Sequence, residues 1–118
     1  MAESFTVAAV QAAYVLMDRE STTSKVEELI ASAAAAGAKL IVFPEVFVPG
    51  TPIWIDSVPI WDGDEAWFAR LVDQAVVVPG PTTDRIGAAA RAADMNLRGD
   101  CTDSMYSRIA RVWASLAR

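Results

Sequence analysis

Residues 40–54 read LIVFPEVFVPGTPIW and place a single carboxylate, Glu45, just after a run of large apolar residues. A continuous apolar run of this length, bounded by proline, is typical of a strand that is buried on both faces. A carboxylate at the mouth of such a strand needs a partner, because burying an unpaired charge is costly. Glu45 is therefore either a structural carboxylate that caps a turn or pairs with Arg or Lys, or a functional one.

The residues before this stretch predict an alternating α/β domain. Residues 5–11, FTVAAVQ, form a short segment that contains β-branched residues, and this predicts a first strand. A helix should follow, because residues 18–24 offer several caps, Gly37 offers a C-terminal stop, and apolar residues recur at helical spacing. The inward-facing residues of that helix would be Val26, Leu29, Ile30 and Ala33. Strand, helix and buried strand together predict a βαβ unit with parallel strands.

Two further helices are predicted after an irregular segment, residues 48–64. Asp64 can cap a helix that runs to about Val76, and the break Pro79-Gly80-Pro81 precedes a helix opened by Thr82 or Thr83. In the second of these helices, the inward-facing residues would be Ile86, Ala89, Ala90 and Ala93. Tryptophans at 54, 61 and 67 could line a pocket, but between prolines they are more typical of a roof over a core.

After Leu97 the predicted pattern changes. An α/β fold calls for another apolar strand here, whereas residues 98–103 read RGDCTD and show no β signal. Residues 98–118 carry four arginines and two aspartates, against six basic and thirteen acidic side chains in residues 1–97. The apolar spacing of this tail allows an amphipathic helix, with Met105, Ile109, Val112, Trp113 and Leu116 on one stripe. We therefore expect an α/β part, residues 1–97, and an atypical tail, residues 98–118.

Composition excludes several classes of function. The chain has 118 residues, of which 53% are hydrophobic and 21% charged, which is typical of one globular domain. Its net charge of -5 argues against nucleic acid or an anionic membrane as a partner. It has no histidine and one cysteine, which excludes histidine-based catalysis and metal sites built from histidine or several cysteines within this sequence. We therefore expect no metal and no cofactor. A single cysteine, an acidic amino terminus and the lack of a membrane-length apolar run favour a cytoplasmic protein.

Residues 43–52, FPEVFVPGTP, resemble the nitrilase branch of the carbon–nitrogen hydrolase superfamily. Many members share Phe-Pro-Glu after the second strand, and Pro-Gly-x-Pro with a tryptophan beyond it is more typical of nitrilases. The likeness extends through IWID at 53–56, WDGDE at 61–65 and PGPTT at 79–83. It covers residues 5–97, as the amino-terminal portion only, and Thr51 stands where many nitrilases carry tyrosine.

The resemblance implies both a fold and a chemistry. Members form a four-layer α-β-β-α sandwich, so we expect an α/β chain: a partial nitrilase-type sandwich with a βαβ start, further helices and an off-pattern C-terminal tail. Members use a Glu-Lys-Cys constellation, in which the thiolate attacks the nitrile carbon, the glutamate moves protons and the lysine stabilises the developing charge. Glu45 matches the family's glutamate and is our candidate catalytic residue. Partial burial favours a general base of this kind, so we expect Glu45 to be partly buried at the sheet's ligand crevice.

The family's lysine and cysteine find no match here. Lys25 lies on the first predicted helix and Lys39 leads into the second strand, whereas the family's lysine follows a further pair of strands. Cys101, in GDCTD, does not match the family's cysteine-tryptophan-glutamate motif and comes too early. A lone thiol is more often a small buried hydrophobe than a nucleophile, so Cys101 receives no catalytic role.

Two readings follow. In the first, the chain is the amino-terminal portion of a nitrilase that converts a small-molecule nitrile to a carboxylic acid and ammonia. In the second, it is non-catalytic: a truncated or frame-shifted fragment, or a small α/β interaction module. We expect no activity from the chain alone under either reading, because a base without its nucleophile leaves the reaction undone. We also expect self-association, because half a sandwich exposes a sheet face and an open edge.

Overall fold

One mixed sheet of four strands organises the part of the chain that the computed structural model describes, residues 2–59, 62–103 and 108–114. The strands lie side by side in chain order: β1 (Thr6–Ala9), β2 (Ala38–Val42), β3 (Asn96–Asp103) and β4 (Arg108–Ala114). β1, β2 and β3 are parallel, and β4 is antiparallel to β3. The helices of this part are α1 (Arg19–Ala35), α2 (Glu65–Asp73) and α3 (Pro81–Ala92), with a 3₁₀ turn at Ile53–Asp56. The predicted α/β class and its βαβ start are confirmed.

Helix α1 begins and ends at the residues that its sequence signals indicate. Asp18 is the N-cap, and its carboxylate accepts hydrogen bonds from the backbone N–H and the hydroxyl of Ser21, each at 2.8 Å. These bonds satisfy a donor that the first turn of a helix otherwise leaves free. At the other end Gly37 takes a φ of +84°, the left-handed conformation that glycine adopts without steric cost.

The main core lies between one face of the sheet and helices α1 and α3. The register places Ile41 opposite both Ala8 and Leu97, and all three residues belong to this core. The predicted inward-facing residues of both helices pack there: Val26, Ile30, Ile86 and Ala90 are buried, and Leu29, Ala33, Ala89 and Ala93 are partly buried. On the opposite face Val7 is 49% exposed, so the described residues form one helical layer on one sheet, the partial sandwich that was predicted.

Ion pairs join the outer surfaces of α1 and α3. Arg85 of α3 contacts Glu20 at 2.8 Å and makes a shorter contact with Glu27, and it also donates to the hydroxyl of Ser24. The hydrogen bond to Glu27 raises the pKa of the Arg85 guanidinium above its usual range. The pairs tie the two helices together where they leave the core.

A second, smaller core lies under α2. Trp54 is buried with Met17 and Leu71, and its ring stacks on Trp67 at 5.9 Å. The prediction that these tryptophans cover a core is therefore confirmed for Trp54, while Trp61 lies outside the described residues.

The end of α2 is held from outside by Arg19. This side chain donates to the carbonyl oxygens of Asp73, at 3.2 Å, and Ala75, at 2.9 Å. The helix ends at Asp73, before the predicted Val76, and the cation on these carbonyls stabilises its terminus.

The amphipathic helix allowed for the tail is not formed in the residues that the structure describes. Position 97 falls inside β3, and residues 108–114, where an amphipathic helix was allowed, form β4. The backbone of β3 pairs with β2 in parallel register, with Leu40 opposite Asn96 and Val42 opposite Arg98. Pairing of this kind supplies backbone hydrogen bonds whatever the side chains, and so overrides a weak local β-propensity. Met105 and Leu116 of the expected helical stripe lie outside the described residues.

A transmembrane helix is not found among the residues described: none of their helices is both long and apolar enough to cross a bilayer.

Candidate functional site

Glu45 lies in a turn at the carboxyl end of β2. The strand's pairing with β3 extends one residue beyond Val42, because the backbone N–H of Phe43 donates to the carbonyl oxygen of Arg98 at 2.9 Å. The chain then turns through Glu45 to Phe47. We call residues 43–50 the Glu45 turn. It stands at the edge of a parallel sheet where open α/β folds place their ligand crevice.

Two buried aromatic rings anchor the Glu45 turn. Phe43 is 9% exposed and Phe47 is 1% exposed, and their ring centroids lie 5.4 Å apart. Between these anchors, Pro44 and Glu45 are exposed. The expectation that Glu45 is partly buried is therefore wrong. Burying both phenylalanines against the core forces the residues between them outward, toward solvent.

The backbone of the turn is strained beside Glu45. Val46 has a φ of +51°, which is in the left-handed region. A β-branched residue rarely adopts this conformation, and it persists only where the surroundings over-determine it. The neighbours that follow supply that constraint, since Phe47, Val48, Pro49 and Gly50 are all buried. The direction in which Glu45 leaves the sheet is thus set by packing on its C-terminal side.

No structural partner accounts for Glu45 in the described part of the chain. Its ion pairs join Arg85 to two glutamates and Lys39 to Asp94, and none includes Glu45. The reading of Glu45 as a paired structural carboxylate therefore gains no support from these residues.

The two lysines do not assemble around Glu45. Lys39 lies at the opposite end of β2, 3.3 Å from Asp94 of the loop that follows α3, and Lys25 lies on α1. The backbone of Cys101 pairs with Ala110 in the β3–β4 ladder. Among the residues that the structure describes, no group of three or more His, Cys, Asp or Glu side chains could hold a metal ion.

A small apolar cavity lies behind the Glu45 turn. Its volume is about 30 Å³, and it is lined by Phe43 and Phe47 of the turn, by Thr82 and Ile86 of α3, and by the sheet. A space of this size is far smaller than the roughly 300–1,000 Å³ of a typical ligand pocket. It is a packing gap rather than a substrate pocket.

Sequence reasoning missed Tyr14, a half-buried residue between β1 and α1. Its ring meets that of Phe47 edge to face, with centroids 5.9 Å apart, and lies against Gly50. The glycine after Pro49 was the available signal, because a glycine in a buried loop often marks a close approach by another group.

Comparison with known proteins adds a family to this geometry. The family model described as carbon-nitrogen hydrolase matches residues 6–108. The chain is 42% identical over 93 residues to a nitrilase of Pseudomonas syringae pv. syringae, covering 77% of this chain and 27% of that protein. It is 41% identical over 90 residues to an aliphatic nitrilase of Rhodococcus rhodochrous, covering 75% of this chain and 24% of that one. A cyanide hydratase of Armillaria gallica is 38% identical over 105 residues, which are 80% of this chain and 26% of that protein.

The chain thus spans about a quarter of the length of these curated relatives. Among solved structures, a double mutant of the amidase from Nesterenkonia sp. AN1, in complex with acrylamide, matches with a TM-score of 0.54. The identity is 17%, and the match covers 83% of this chain and 32% of the amidase. This likeness supports the fold. The family match also reaches past residue 97, in agreement with the strand found there.

Proposed function

Because the chain belongs to the carbon–nitrogen hydrolase family, we propose that Glu45 is the proton-transferring carboxylate of a nitrilase-type hydrolysis. The substrate class is a small-molecule nitrile, converted to a carboxylic acid and ammonia. One observation carries the proposal: Glu45, which joins no ion pair among the residues that the structure describes, stands on a strained turn at the carboxyl edge of a parallel sheet.

The chemistry that the family resemblance implies sets what Glu45 has to do. A cysteine thiol gives up its proton to the carboxylate as the sulfur attacks the nitrile carbon, which forms a thioimidate. Addition of water and release of ammonia leave a thioester, and a second water releases the acid and restores the thiol. The carboxyl group carries protons between these steps, a task that requires access to both the thiol and water.

The chain supplies the base of this reaction and leaves the other roles unfilled. Lys39 is held by Asp94 at the far end of β2, Lys25 lies on α1, and Cys101 lies outside the family's nucleophile motif. We therefore propose that these 118 residues do not turn over nitriles by themselves. The direct test measures ammonia released from phenylacetonitrile and from an aliphatic nitrile by the chain and by its Glu45→Gln variant. Release by the chain above that variant would contradict the proposed inactivity.

A chimera tests the role of Glu45 itself. Residues 6–97 of this chain replace the matching segment of the Pseudomonas syringae nitrilase, which provides the remaining catalytic groups of the family. We expect nitrile hydrolysis by the chimera, and a loss of about 10²- to 10⁴-fold in kcat for Glu45→Gln, the usual contribution of a general acid–base group. Glu28→Gln on the exposed side of α1 is the matched control and should leave kcat unchanged. Equal activity of the two variants would refute the proposed role.

The free sheet surface supports a second part of the proposal, self-association. Phe5 is 66% exposed and Val7 is 49% exposed on β1 and just before it, and β1 is an edge strand. Exposed apolar edges of this kind template pairing between copies. We expect sedimentation to show oligomers that dissociate on dilution, and Val7→Lys to weaken them. A monomer at every concentration would contradict this part alone.

A further inference from the structure

We propose that Tyr14 is a positioning residue for Glu45: its ring holds the C-terminal side of the Glu45 turn and thereby keeps Val46 in its strained conformation. The structural part of this inference is independent of the reaction. Its catalytic meaning rests on the function proposed for Glu45.

The segment that carries Tyr14 runs alongside the Glu45 turn and is bonded to the same length of chain at both ends. At the start of this segment, residues 10–17, the backbone N–H of Val10 donates to the carbonyl oxygen of Val42 at 2.8 Å. At its end, the N–H of Met17 donates to the carbonyl oxygen of Pro49 at 2.9 Å. Tyr14 therefore stands midway along a tethered segment, where its side chain has little freedom to move away from the turn.

The ring of Tyr14 contacts the turn on the side that follows Glu45. It meets Phe47 edge to face at 5.9 Å, an arrangement that aromatic pairs favour. It also lies so close to Gly50 that a Cβ there would be 2.5 Å from two ring carbons. Phe47 therefore contacts two rings, that of Tyr14 and that of Phe43, whose centroid lies 5.4 Å away.

This contact explains how Val46 keeps a positive φ. The residue has no glycine-like freedom, so its conformation must be enforced by groups that cannot move. Phe47, the next residue, is 1% exposed and would have to shift if Val46 relaxed. The Tyr14 ring opposes that shift. Loss of the ring should let Val46 relax, and Glu45, one residue earlier, would then leave the sheet edge in a different direction.

The test uses the 118-residue chain and two nuclear magnetic resonance signals. The Cα and Cβ chemical shifts of Val46 report the sign of its φ, and the amide of Met17 reports its hydrogen bond to Pro49. In Tyr14→Leu, which keeps apolar bulk, we expect the Val46 shifts to move toward values for negative φ. We expect exchange of the Met17 amide to quicken about tenfold relative to the Val26 amide inside α1. Scaling to Val26 removes any general loss of stability, which a merely structural role would produce.

Two variants complete the design. Tyr14→Phe keeps the ring and should restore both signals. Val15→Ala, at a neighbour that is 41% exposed, should change neither. Unchanged Val46 shifts in Tyr14→Leu would overturn the inference, and so would a Tyr14→Leu chain that fails to fold, because Tyr14 would then be a general core residue. An inactive chimera would instead count against the proposed function and leave these signals as they are.

Discussion

The ring of Tyr14 occupies the space into which a side chain at Gly50 would project. A Cβ at Gly50 would lie 2.5 Å from ring atoms Cδ2 and Cε2 of Tyr14. The φ of Gly50 is +110°, which only glycine adopts freely. Two independent constraints therefore require glycine at this position: its backbone conformation and the ring packed against it.

Gly50→Ala should destabilise the chain markedly. The strain of a positive φ adds to the overlap with Tyr14, so we expect a loss of about 2–4 kcal/mol in the free energy of unfolding. Urea denaturation followed by circular dichroism measures it. Gly37→Ala is the matched control, because Gly37 has a φ of +84° with nothing within 4 Å of its would-be Cβ. The control should lose about 1 kcal/mol, from strain alone. Equal losses would show that the Tyr14 contact contributes nothing.

Glu45→Gln should leave stability unchanged. The side chain is exposed, and no ion pair of the described residues includes it, so we expect a change below about 0.5 kcal/mol, as for most surface substitutions. Thermal or urea denaturation of the two chains side by side makes the measurement. A clear loss of stability would indicate a structural role for the carboxylate and weaken its assignment as the base.

Arg19→Lys should loosen the end of α2. The guanidinium of Arg19 reaches two carbonyl oxygens, those of Asp73 and Ala75, and a lysine ammonium lacks this planar fork. We expect a loss of about 1–2 kcal/mol and faster hydrogen exchange in the last turn of α2 than in α1. Arg70→Lys, at an exposed position of α2, should change neither quantity. Uniform acceleration across both helices would argue that Arg19 stabilises the fold as a whole.

The ion pairs of Arg85 should give a small contribution that depends on salt. The side chains of Arg85 and Glu27 are 36% and 35% exposed, so solvent screens their interaction, and we expect Arg85→Met to cost no more than about 1 kcal/mol. The cost should shrink in 1 M salt, where the screening length falls to about 3 Å. Lys39→Met provides the comparison, because the Lys39–Asp94 pair is 58% and 74% exposed and should contribute less. A cost for Arg85→Met that does not change with salt would indicate lost packing instead.

The free energy of unfolding should decrease at acid pH, because the N-cap of α1, Asp18, becomes protonated there. Hydrogen bonds from the backbone and hydroxyl of Ser21 lower the pKa of Asp18 from 3.8. A carboxyl whose pKa is lower in the folded chain contributes stability above its unfolded pKa and loses it as the pH falls through the folded pKa. The stability of the native chain relative to Asp18→Asn, which cannot titrate there, should therefore decrease as pH drops from 5 toward 2. Thermal melts across this range test it, and a constant difference would exclude the cap as its source.

The local elements of the fold could be predicted from the sequence because their signals are local. The apolar run ending at Phe43 predicts a strand, which forms as β2, although its burial on both faces was wrong, because Leu40 and Val42 are only partly buried. Residues 18–37 contain both the cap and the stop of α1. The break before α3 is of the same kind, although the helix begins at Pro81, just before the predicted Thr82 or Thr83. Gly80 is the N-cap, and its backbone N–H donates to the hydroxyl of Thr83 at 3.0 Å. Each of these features depends on groups within a few residues of one another, so the pattern alone was sufficient.

The exposure of Glu45 could not be predicted in the same way. Pro44 and Glu45 follow a buried strand, and the sequence pattern suggested burial for the carboxylate as well. The structure turns them outward because Phe43 and Phe47 take the space in the core. Which residues of a short apolar segment occupy a core depends on the shape of that core, which α1 and α3 set from elsewhere in the chain.

Sequence alone predicted the βαβ start and singled out Glu45 as the candidate catalytic residue, because a motif and a periodicity both consist of neighbouring residues. Three features needed the folded chain. They are the β-structure after Leu97, the positive φ of Val46, and the packing of Tyr14 on Gly50. Each arises from contact between segments distant in sequence, where strand pairing and close packing outweigh the weak conformational preferences of the residues themselves.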